Sequence, residues 1–202
     1  MSKRTLAILV VVLTLLIDQA SKIWVKLSMT LGQDIPYIGN WAHIHFVENE
    51  GMAFGLSFGG GMGKFLLTIF RLIAVIFIIY YIHQQIKNPK SGKGFIVCLA
   101  LILTGAIGNI VDSLFYGMIF NESTMTQVAA FLPAKGYASI FHGRVVDMFY
   151  FPIYRGYLPD WVPILHGRYM EFFPYIFNFA DACITVGVFL VLIFQGRFFK
   201  EN

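Results

Sequence analysis

The chain has 202 residues, of which 57% are hydrophobic and only 13% are charged, whereas soluble domains carry about 25% charged residues. This deficit excludes an ordinary soluble domain and predicts an integral membrane protein built as a single domain over residues 1–202. The net charge is +4, but the basic residues form short, scattered groups, which exclude a nucleic-acid-binding patch and are typical of membrane anchoring.

Four segments are apolar enough to cross a bilayer, for which a helix needs about 20 residues. They cover residues 5–24, 65–82, 95–114 and 175–194. The first follows Lys3 and Arg4 and could be a signal peptide, but no Ala-x-Ala-like cleavage site follows it, so we expect a retained span. The sequence therefore predicts an all-α membrane protein with four transmembrane helices.

Short basic groups outside the spans predict the orientation of the helices. These groups are Lys3 and Arg4, then Lys87, Lys90 and Lys93, and finally Arg197 and Lys200. With four spans, all of them lie on one side, which the positive-inside rule makes the cytoplasmic side. Both termini are then expected in the cytoplasm, and residues 27–63 and 115–174 are expected outside.

The two external segments differ in composition. Residues 35–58 mix β-branched and aromatic residues with turn formers such as Gly39 and Asn40, which predicts short strands that form a small β-cradle on the membrane. Residues 115–174 contain five of the seven prolines, which predicts a loop-rich periplasmic cap.

Polar residues recur near the external ends of three predicted spans. Each pair is three or four residues apart, so its members share one helical face. The pairs are Asp18 with Lys22, Asn109 with Asp112, and Asn178 with Asp181. For Asp18 and Lys22 the sequence leaves two roles open, namely cohesion between helices and a direct role in a functional site.

Two aspartates indicate a functional site most strongly. Asp181 lies at the entrance to the last apolar span, and Asp147 precedes it in the external segment. Acids near hydrocarbon are costly and indicate a functional site by default. Two carboxylates in contact share one proton, so that one can take a proton from water while the other protonates a carbonyl oxygen. The dipole of the last helix favours the ionised form of Asp181.

Five short motifs combine these polar residues with nearby glycines. They are Asp18-Gln-Ala-Ser-Lys22, Asn49-Glu-Gly51-Met-Ala53-Phe54-Gly55, Gly105-Ala-Ile-Gly108-Asn109-Ile-Val-Asp112, Gly143-Arg-Val-Val-Asp147 and Phe177-Asn178-Phe-Ala180-Asp181. In this order, and on a frame of four spans, the set resembles the lipoprotein signal peptidases, which are the type II signal peptidases of bacteria. The motifs and spans together cover most of the chain.

The resemblance implies an aspartyl endopeptidase of the bacterial cytoplasmic (inner) membrane, with its active site at the outer face. Such an enzyme removes the signal peptide of a diacylglyceryl-modified prolipoprotein by cutting before the lipidated cysteine. The catalytic pair corresponds to Asp147 and Asp181, and neither a metal nor a cofactor is implied. The residues that match the lining and support of the site are Asp18, Lys22, Asn49, Gly51, Asn109, Asp112 and Asn178.

The expected partners follow from the same resemblance. They are prolipoprotein signal peptides and membrane lipids, and cyclic peptide antibiotics of the globomycin type are expected to inhibit the enzyme. Nothing in the sequence demands more than a monomer.

The chain departs from the family in three places. The family usually has an arginine directly after the aspartate of the third span, whereas this chain has Ser113, so that Arg71 or Arg144 is a candidate to replace it. Residues 118–142 and 154–172 are longer than the links usual in the family. These insertions are expected to extend the outer cap.

A small proton-coupled transporter is the alternative function, because intramembrane acids and a lysine can form a proton relay. Such a transporter is expected to contain an inverted repeat or broken helices, and the sequence indicates neither. A purely structural scaffold would explain the spans but not the clustering of acids at one depth.

Overall fold

The chain forms a helical bundle with small sheets at one end. A computed structural model describes residues 1–50, 60–164 and 166–198. The helices are α1 (Lys3–Ser28), α2 (Gly60–Lys87), α3 (Lys93–Val111), α4 (Gly117–Ile119), α5 (Phe179–Ile193) and α6 (Gln195–Phe198). A π-helical turn, Asp112–Tyr116, joins α3 to α4, and wide turns of this kind are frequent at functional sites.

α3 is the central helix, and α1, α2 and α5 all pack against it. Glycines on α3 permit the closest approaches. A Cβ atom at Gly105 would lie 2.2 Å from the carbonyl oxygen of Ala180 on α5, and one at Gly108 would lie 2.5 Å from Asp18 Oδ2 on α1. Small residues have this role in membrane bundles because close packing and polar contacts hold the helices together there.

Among the described residues, three helices are long and apolar enough to span a membrane, namely Lys3–Ser28, Met62–Lys87 and Lys93–Ile119. The fourth predicted span, residues 175–194, begins before the helix that the structure shows there. Its helix, α5, has 15 residues and is about 22 Å long, whereas the hydrocarbon core is about 30 Å thick. The preceding residues are extended because they form a strand and a helix cap. A total of four spans therefore stays a prediction.

The basic groups used to predict orientation lie at one end of the bundle, except for Lys200, which is outside the described residues. The Lys3 ammonium group donates a hydrogen bond of 2.7 Å to the Asn88 carbonyl oxygen, which places the start of α1 beside the end of α2. The rings of Phe95 and Phe198 are 5.2 Å apart, which places the start of α3 beside α6. The side of the membrane on which this end lies stays a prediction.

Two antiparallel sheets lie at the opposite end of the bundle. The strands are β1 (Asp34–Ile38), β2 (Ala42–Asn49), β3 (Val145–Tyr150), β4 (Tyr154–Tyr157), β5 (Tyr169–Phe172) and β6 (Ile176–Phe177). The larger sheet has the order β1-β2-β3-β6, and β4 pairs with β5 alone. Gly39 turns the chain between β1 and β2 with a φ of 52°, which glycine adopts without strain.

The sheets confirm part of the predicted fold and correct another part. β1 and β2 are the strands predicted within residues 35–58, although residues 51–59 lie outside the described part of the chain. β3, β4 and β5 were not predicted, because residues 115–174 were interpreted as loop-rich, and β6 falls inside the predicted fourth span. The all-α description therefore applies only to the bundle.

An apolar core joins the larger sheet to the bundle. It contains Val25, Met29, Phe46, Tyr116, Phe120, Ala129, Val146 and Met148. Phe120 and Ala129 belong to the first insertion, residues 118–142, which therefore packs over α1 and β3. The second insertion, residues 154–172, is the β4–β5 hairpin.

Replacement of Gly105 by alanine is expected to destabilise the bundle. The new Cβ atom would meet a backbone oxygen at 2.2 Å, and overpacking of this kind costs about 1–3 kcal/mol. Thermal unfolding in detergent measures the effect. Gly94→Ala is the matched control on the same helix, because its Cβ would meet only the Phe198 ring at 3.7 Å. Equal melting temperatures for the two variants would contradict the close contact between α3 and α5.

Candidate active site

Asp147 and Asp181 approach each other from two different layers of the structure. Asp147 lies in β3 with 4% of its surface exposed, and Asp181 lies half-buried in the first turn of α5. Phe177 of β6 pairs with Phe149 of β3, and α5 follows β6 after a single residue. This short connection brings the start of α5 to the strand that carries Asp147.

Asn178 is the single residue of that connection, and it links the two aspartates. Its Oδ1 accepts the backbone N–H of Asp181 at 2.9 Å, while Asp181 Oδ2 accepts the backbone N–H of Asn178 at 3.3 Å. This reciprocal capping box holds the Asp181 side chain at the helix terminus. Asn178 Nδ2 also donates to Asp147 Oδ1 at 2.7 Å. One buried side chain therefore positions both carboxylates.

Asn109 connects the pair to the centre of the bundle. Its Nδ2 donates to Asp181 Oδ1 at 2.8 Å. Its Oδ1 accepts hydrogen bonds from Asn178 Nδ2 at 3.1 Å and from Lys22 Nζ at 3.0 Å. The nitrogen and the oxygen of the Asn109 amide are therefore both hydrogen-bonded, and α3 contributes directly to the position of Asp181.

Lys22 forms a buried charge cluster with two carboxylates beneath the pair. Its Nζ lies 3.0 Å from Asp18 Oδ2 and 2.9 Å from Asp112 Oδ2, and all three side chains are fully buried. Their burial without partners would be prohibitive, because isolated charges cost several kcal/mol or more in an apolar interior. The cluster holds α1 against α3.

Asp18 and Asp112 also hold the backbone next to the two aspartates. Asp112 Oδ2 accepts the N–H of Val146 at 3.2 Å, and Asp18 Oδ1 accepts the N–H of Ala180 at 2.9 Å. Val146 directly precedes Asp147, and Ala180 directly precedes Asp181. These contacts thus combine cohesion between helices with support of the candidate site, whereas the direct role that the sequence also left open stays a prediction.

Gln19 and Tyr116 extend this cluster and were missed in the sequence. Gln19 Nε2 donates to Asp18 Oδ2 at 3.0 Å and to Asp112 Oδ1 at 3.1 Å, and the Tyr116 hydroxyl donates to Gln19 Oε1 at 3.1 Å. Gln19 could have been predicted to belong to the site, because it lies beside Asp18 within a polar motif. Tyr116 carried no such signal, because it lies among apolar residues.

Asn49 contacts the pair from β2, where its Nδ2 donates to Asp147 Oδ2 at 3.2 Å. Glu48 and Glu50, the residues on either side of Asn49, both form ion pairs with Arg144. Arg144 lies 3.1 Å from Glu48 and 3.2 Å from Glu50, measured from guanidinium nitrogen to carboxylate oxygen. Arg144 therefore lies beside Asn49 and supports the site through the residues on either side of it, Glu48 and Glu50.

Two lysines complete the ion pairs around Asn49, and the sequence did not single out either. Lys26 of α1 is fully buried and pairs with Glu48, and Lys64 of α2 pairs with Glu50 at 2.5 Å. The segment that begins at Asn49 is thereby attached to both helices. Gly51, which was predicted to belong to the site, lies outside the described residues.

Ser113 occupies the position at which the family usually has arginine, and it does not face the aspartates. Its hydroxyl donates to the carbonyl oxygen of Asn109 at 2.9 Å. Arg71 lies on the face of α2 that also buries Thr68 and Val75, hence on the side that packs against the bundle. Its guanidinium group interacts electrostatically with the carboxylates of Asp181, Asp112 and Asp147.

The environment of Asp147 favours its protonated form. Burial, and after it the charge of Asp181, raises the pKa of Asp147 from an ordinary value of 3.8 to about 7, although hydrogen bonds from Asn49 and Asn178 oppose the shift. Such a group gains and loses a proton near neutral pH, as acid–base catalysis requires. In the described part of the chain, no group of three or more His, Cys, Asp or Glu side chains could hold a metal ion.

Relatives of known name resemble this chain along most of its length. A family model described as signal peptidase (SPase) II matches residues 10–197. A protein named lipoprotein signal peptidase from Porphyromonas gingivalis is 47% identical over 188 residues, which is 93% of this chain and 81% of the relative. One of the same name from Amoebophilus asiaticus is 42% identical over 187 residues, or 91% of this chain and 75% of that one.

Two solved structures share the fold. Both are described as bacterial membrane enzymes determined by the in meso method. The structure at 1.9 Å resolution has a TM-score of 0.58 and 24% identity, and covers 97% of this chain and 94% of its own. The structure at 2.3 Å resolution has a TM-score of 0.57 and 23% identity, with corresponding coverages of 97% and 92%.

Asp147→Asn is expected to stabilise the protein in a pH-dependent manner. Because its pKa is raised on folding, Asp147 contributes stability that is fully present below pH 3.8 and is lost as the pH rises to about 7. The asparagine variant does not lose this contribution. Relative to the parent, its free energy of unfolding should therefore rise by about 2–3 kcal/mol between pH 5 and pH 8.

Thermal unfolding in detergent at the two pH values measures this difference. Asp160→Asn is the matched control, because Asp160 is exposed on the hairpin loop and should show no such dependence. A melting difference between Asp147→Asn and the parent that is equal at both pH values would contradict the raised pKa.

Proposed function

Because the chain belongs to the signal peptidase II family, we propose that it is an aspartyl endopeptidase that removes the signal peptide from diacylglyceryl-modified prolipoproteins. It cuts directly before the lipidated cysteine. The observation that carries the proposal is the link through Asn178, which holds Asp147 and Asp181 in one hydrogen-bonded unit. Membership of this family gives no support to the transporter hypothesis.

The proposed reaction requires only the two carboxyl groups and water. Ionised Asp181 takes a proton from water as the water oxygen attacks the carbonyl carbon of the scissile peptide. Protonated Asp147 gives its proton to the carbonyl oxygen, so that a neutral tetrahedral diol forms. The C–N bond then breaks, Asp181 gives its proton to the leaving nitrogen, and Asp147 takes a proton from one hydroxyl group. Both groups thus return to their starting states.

The assignment of the acid and the base rests on the surroundings of each carboxyl group. Asp147 is buried and has a pKa of about 7, which suits a group that begins the cycle protonated. Asp181 lies at the N-terminus of α5, where the helix dipole favours negative charge. It also accepts N–H groups from Asn109 and Asn178, and an ionised carboxylate can accept all of them.

The proposed location follows from the ends of the bundle. The end that carries Lys3 and Asn88 is assigned to the cytoplasm, with both termini, and the sheet and the aspartate pair are assigned to the outer face of the inner membrane. A signal peptide is a short apolar helix that can lie among the spans, with its lipidated cysteine at the outer interface. The protein acts as a monomer in this proposal, and globomycin-type peptides inhibit it by occupying the site.

Arg71 is proposed to take the place of the arginine that the family usually carries at the position of Ser113. Its guanidinium group, on α2, interacts electrostatically with the carboxylates of Asp147 and Asp181. A guanidinium group in this position stabilises negative charge on the pair and can donate to a carbonyl oxygen of the bound peptide. Arg71 is a positioning residue in this proposal.

Removal of either aspartate is expected to abolish turnover but not folding. Asp147→Asn and Asp181→Asn should each lower the rate of cleavage at least about 1,000-fold, because each carboxyl group transfers a proton in both halves of the reaction. The double variant should be no slower than the single variants, since residues that act as a unit are not additive. A gel-shift assay with a purified diacylglyceryl-modified prolipoprotein measures the rate.

Two controls make this assay specific. Asp34 contacts His43, with 3.0 Å between Oδ1 and Nδ1, and lies away from the aspartate pair. The Asp34→Asn variant should therefore cleave at the parent's rate. The same prolipoprotein without its diacylglyceryl group should remain intact. A folded Asp181→Asn variant that still cleaves the lipidated substrate would overturn the aspartyl mechanism.

Arg71→Gln is expected to lower kcat/KM by about tenfold or more and to shift the pH profile of cleavage upward, because loss of a nearby cation raises the pKa of carboxyl groups. Arg71→Lys retains the charge and should keep the profile of the parent, with a smaller loss of rate. The pH dependence of kcat/KM for the three proteins measures the effect. An unchanged profile in the glutamine variant would exclude an electrostatic role for Arg71.

A further inference from the structure

The β4–β5 hairpin is a part of the molecule that the proposed reaction does not use. Its strands contact mainly each other, and they form a sheet of their own beside the larger one. An isolated two-stranded hairpin is only marginally stable in water. Among the described residues, the hairpin is attached to the larger sheet near its base, where the Tyr150 hydroxyl donates a hydrogen bond to Glu171, and its loop remains largely exposed.

The loop of the hairpin is apolar and projects its largest side chains outward. Trp161 is 81% exposed and Ile164 is 87% exposed. The backbone around them is hydrogen-bonded, since the Leu158 N–H donates to the Arg168 carbonyl oxygen at 2.9 Å and the Gly167 N–H donates to that of Leu158 at 3.0 Å. The exposed side chains of Trp161 and Ile164 thus lie in a loop whose base is hydrogen-bonded, and exposed apolar side chains of this kind indicate an interaction surface.

The base of the hairpin lies beside the start of α5, the helix of the fourth predicted span. The Ile153 N–H donates to the Phe172 carbonyl oxygen at 3.2 Å, and the Phe173 and Phe177 rings are 6.4 Å apart. Phe177 is followed by the Asn178 cap and then by α5. A strand of four residues spans about 13 Å, so the loop stays within reach of the interface at which the hairpin begins.

Exposed apolar residues also lie outside the loop of the hairpin. The exposed residues around its base are Tyr37, Ile38, Trp41, Ile153, Phe172 and Tyr175. Below them, α5 exposes Val186, Phe189, Leu192 and Ile193, as expected of a helix in a bilayer. Apolar side chains are thus exposed on α5 as well as around the base of the hairpin.

The charges and aromatic residues of the hairpin indicate lipid as the occupant. Arg155 and Arg168 are balanced by Asp160 and Glu171, so the hairpin has no net charge with which to attract a charged protein. Tyrosine and tryptophan are the residues enriched where a membrane meets water, because one end of each ring system is apolar and the other is polar.

We propose that the loop of the β4–β5 hairpin inserts Trp161 and Ile164 into the interfacial region of the lipid leaflet beside the start of α5. The insertion gives the exposed loop of the hairpin a packing partner and anchors the sheet that carries Asp147 at a fixed depth. It rests on the membrane character of the chain and on the predicted crossing of the membrane by α5. Only its consequence, a fixed depth of the site relative to a lipidated substrate, rests on the proposed function.

Tryptophan fluorescence tests the insertion directly. The chain has three tryptophans, so the double variant Trp24→Phe, Trp41→Phe leaves Trp161 as the sole emitter. It is reconstituted in phosphatidylcholine vesicles whose acyl chains carry bromine either near the carbonyl end or near the bilayer centre. We expect Trp161 to lose about half or more of its intensity with the shallow bromines and clearly less with the deep ones, as an interfacial indole should.

Further measurements separate lipid from other occupants. Ile164→Asp in the same background should reduce the quenching by shallow bromines, and high salt should leave it unchanged, because the hairpin has no net charge. If Trp161 is instead quenched by acrylamide and not by either lipid, the loop lies in water and the proposal is wrong. Emission that depends on protein concentration without any lipid quenching would indicate a second copy of the chain, and would also overturn it.

The folded state is checked independently of these signals. The double variant should melt close to the parent, since phenylalanine retains the apolar surface of both tryptophans. If it fails to fold, the difference in quenching between the parent and Trp161→Phe gives the same information. A parent that is quenched no more by shallow bromines than Trp161→Phe would contradict the insertion.

Discussion

The buried ammonium group of Lys22 is the interaction on which the rest of the site depends. Asp18 and Asp112 are fully buried carboxylates, and Lys22 lies within 3.0 Å of both. If one member of such a buried set is removed, about 3–5 kcal/mol is lost, because the remaining charge has no partner. The three side chains are therefore stable only together, and they fix α1 relative to α3. The backbone N–H groups of Val146 and Ala180 are bound by this same set.

Lys22 also determines the direction of the hydrogen bonds that reach Asp147 and Asp181. Its ammonium group can only donate, so the Asn109 atom that it contacts must be the carbonyl oxygen, and the Asn109 amide nitrogen must face Asp181. Asn178 accepts the N–H of Asp181 through its oxygen, so its amide nitrogen must face Asp147 and Asn109. Each carboxyl group therefore receives a donor that cannot rotate away without leaving a buried polar group unpaired.

The parts of the site that the sequence predicts are formed by residues close together in the chain, whereas the other parts are formed by residues far apart in it. Asp18 and Lys22 could be paired from the sequence because four residues on a helix define a common face. The start of α5 could not be predicted from the sequence. Ile176 and Phe177 are as apolar as a membrane span and become a strand only because they pair with β3. Lys26 had no visible partner either, since Glu48 follows it by 22 residues on a different element. Local spacing thus predicts the helices and their polar faces, whereas the sheet that carries Asp147 depends on distant pairings.

In the proposed mechanism, the division of the aspartate pair between a strand and a helix makes hydrolysis a property of the assembled protein. Asp147 reaches Asp181 only when β3 has paired with β6 and α5 has been capped by Asn178. The raised pKa of Asp147 depends on that same assembly, because burial and the neighbouring charge of Asp181 produce it. An incompletely docked sheet would leave Asp147 solvated and ionised, hence unable to protonate a carbonyl oxygen. Contacts that hold the sheet on the bundle therefore control the chemistry as directly as contacts with the carboxylates themselves.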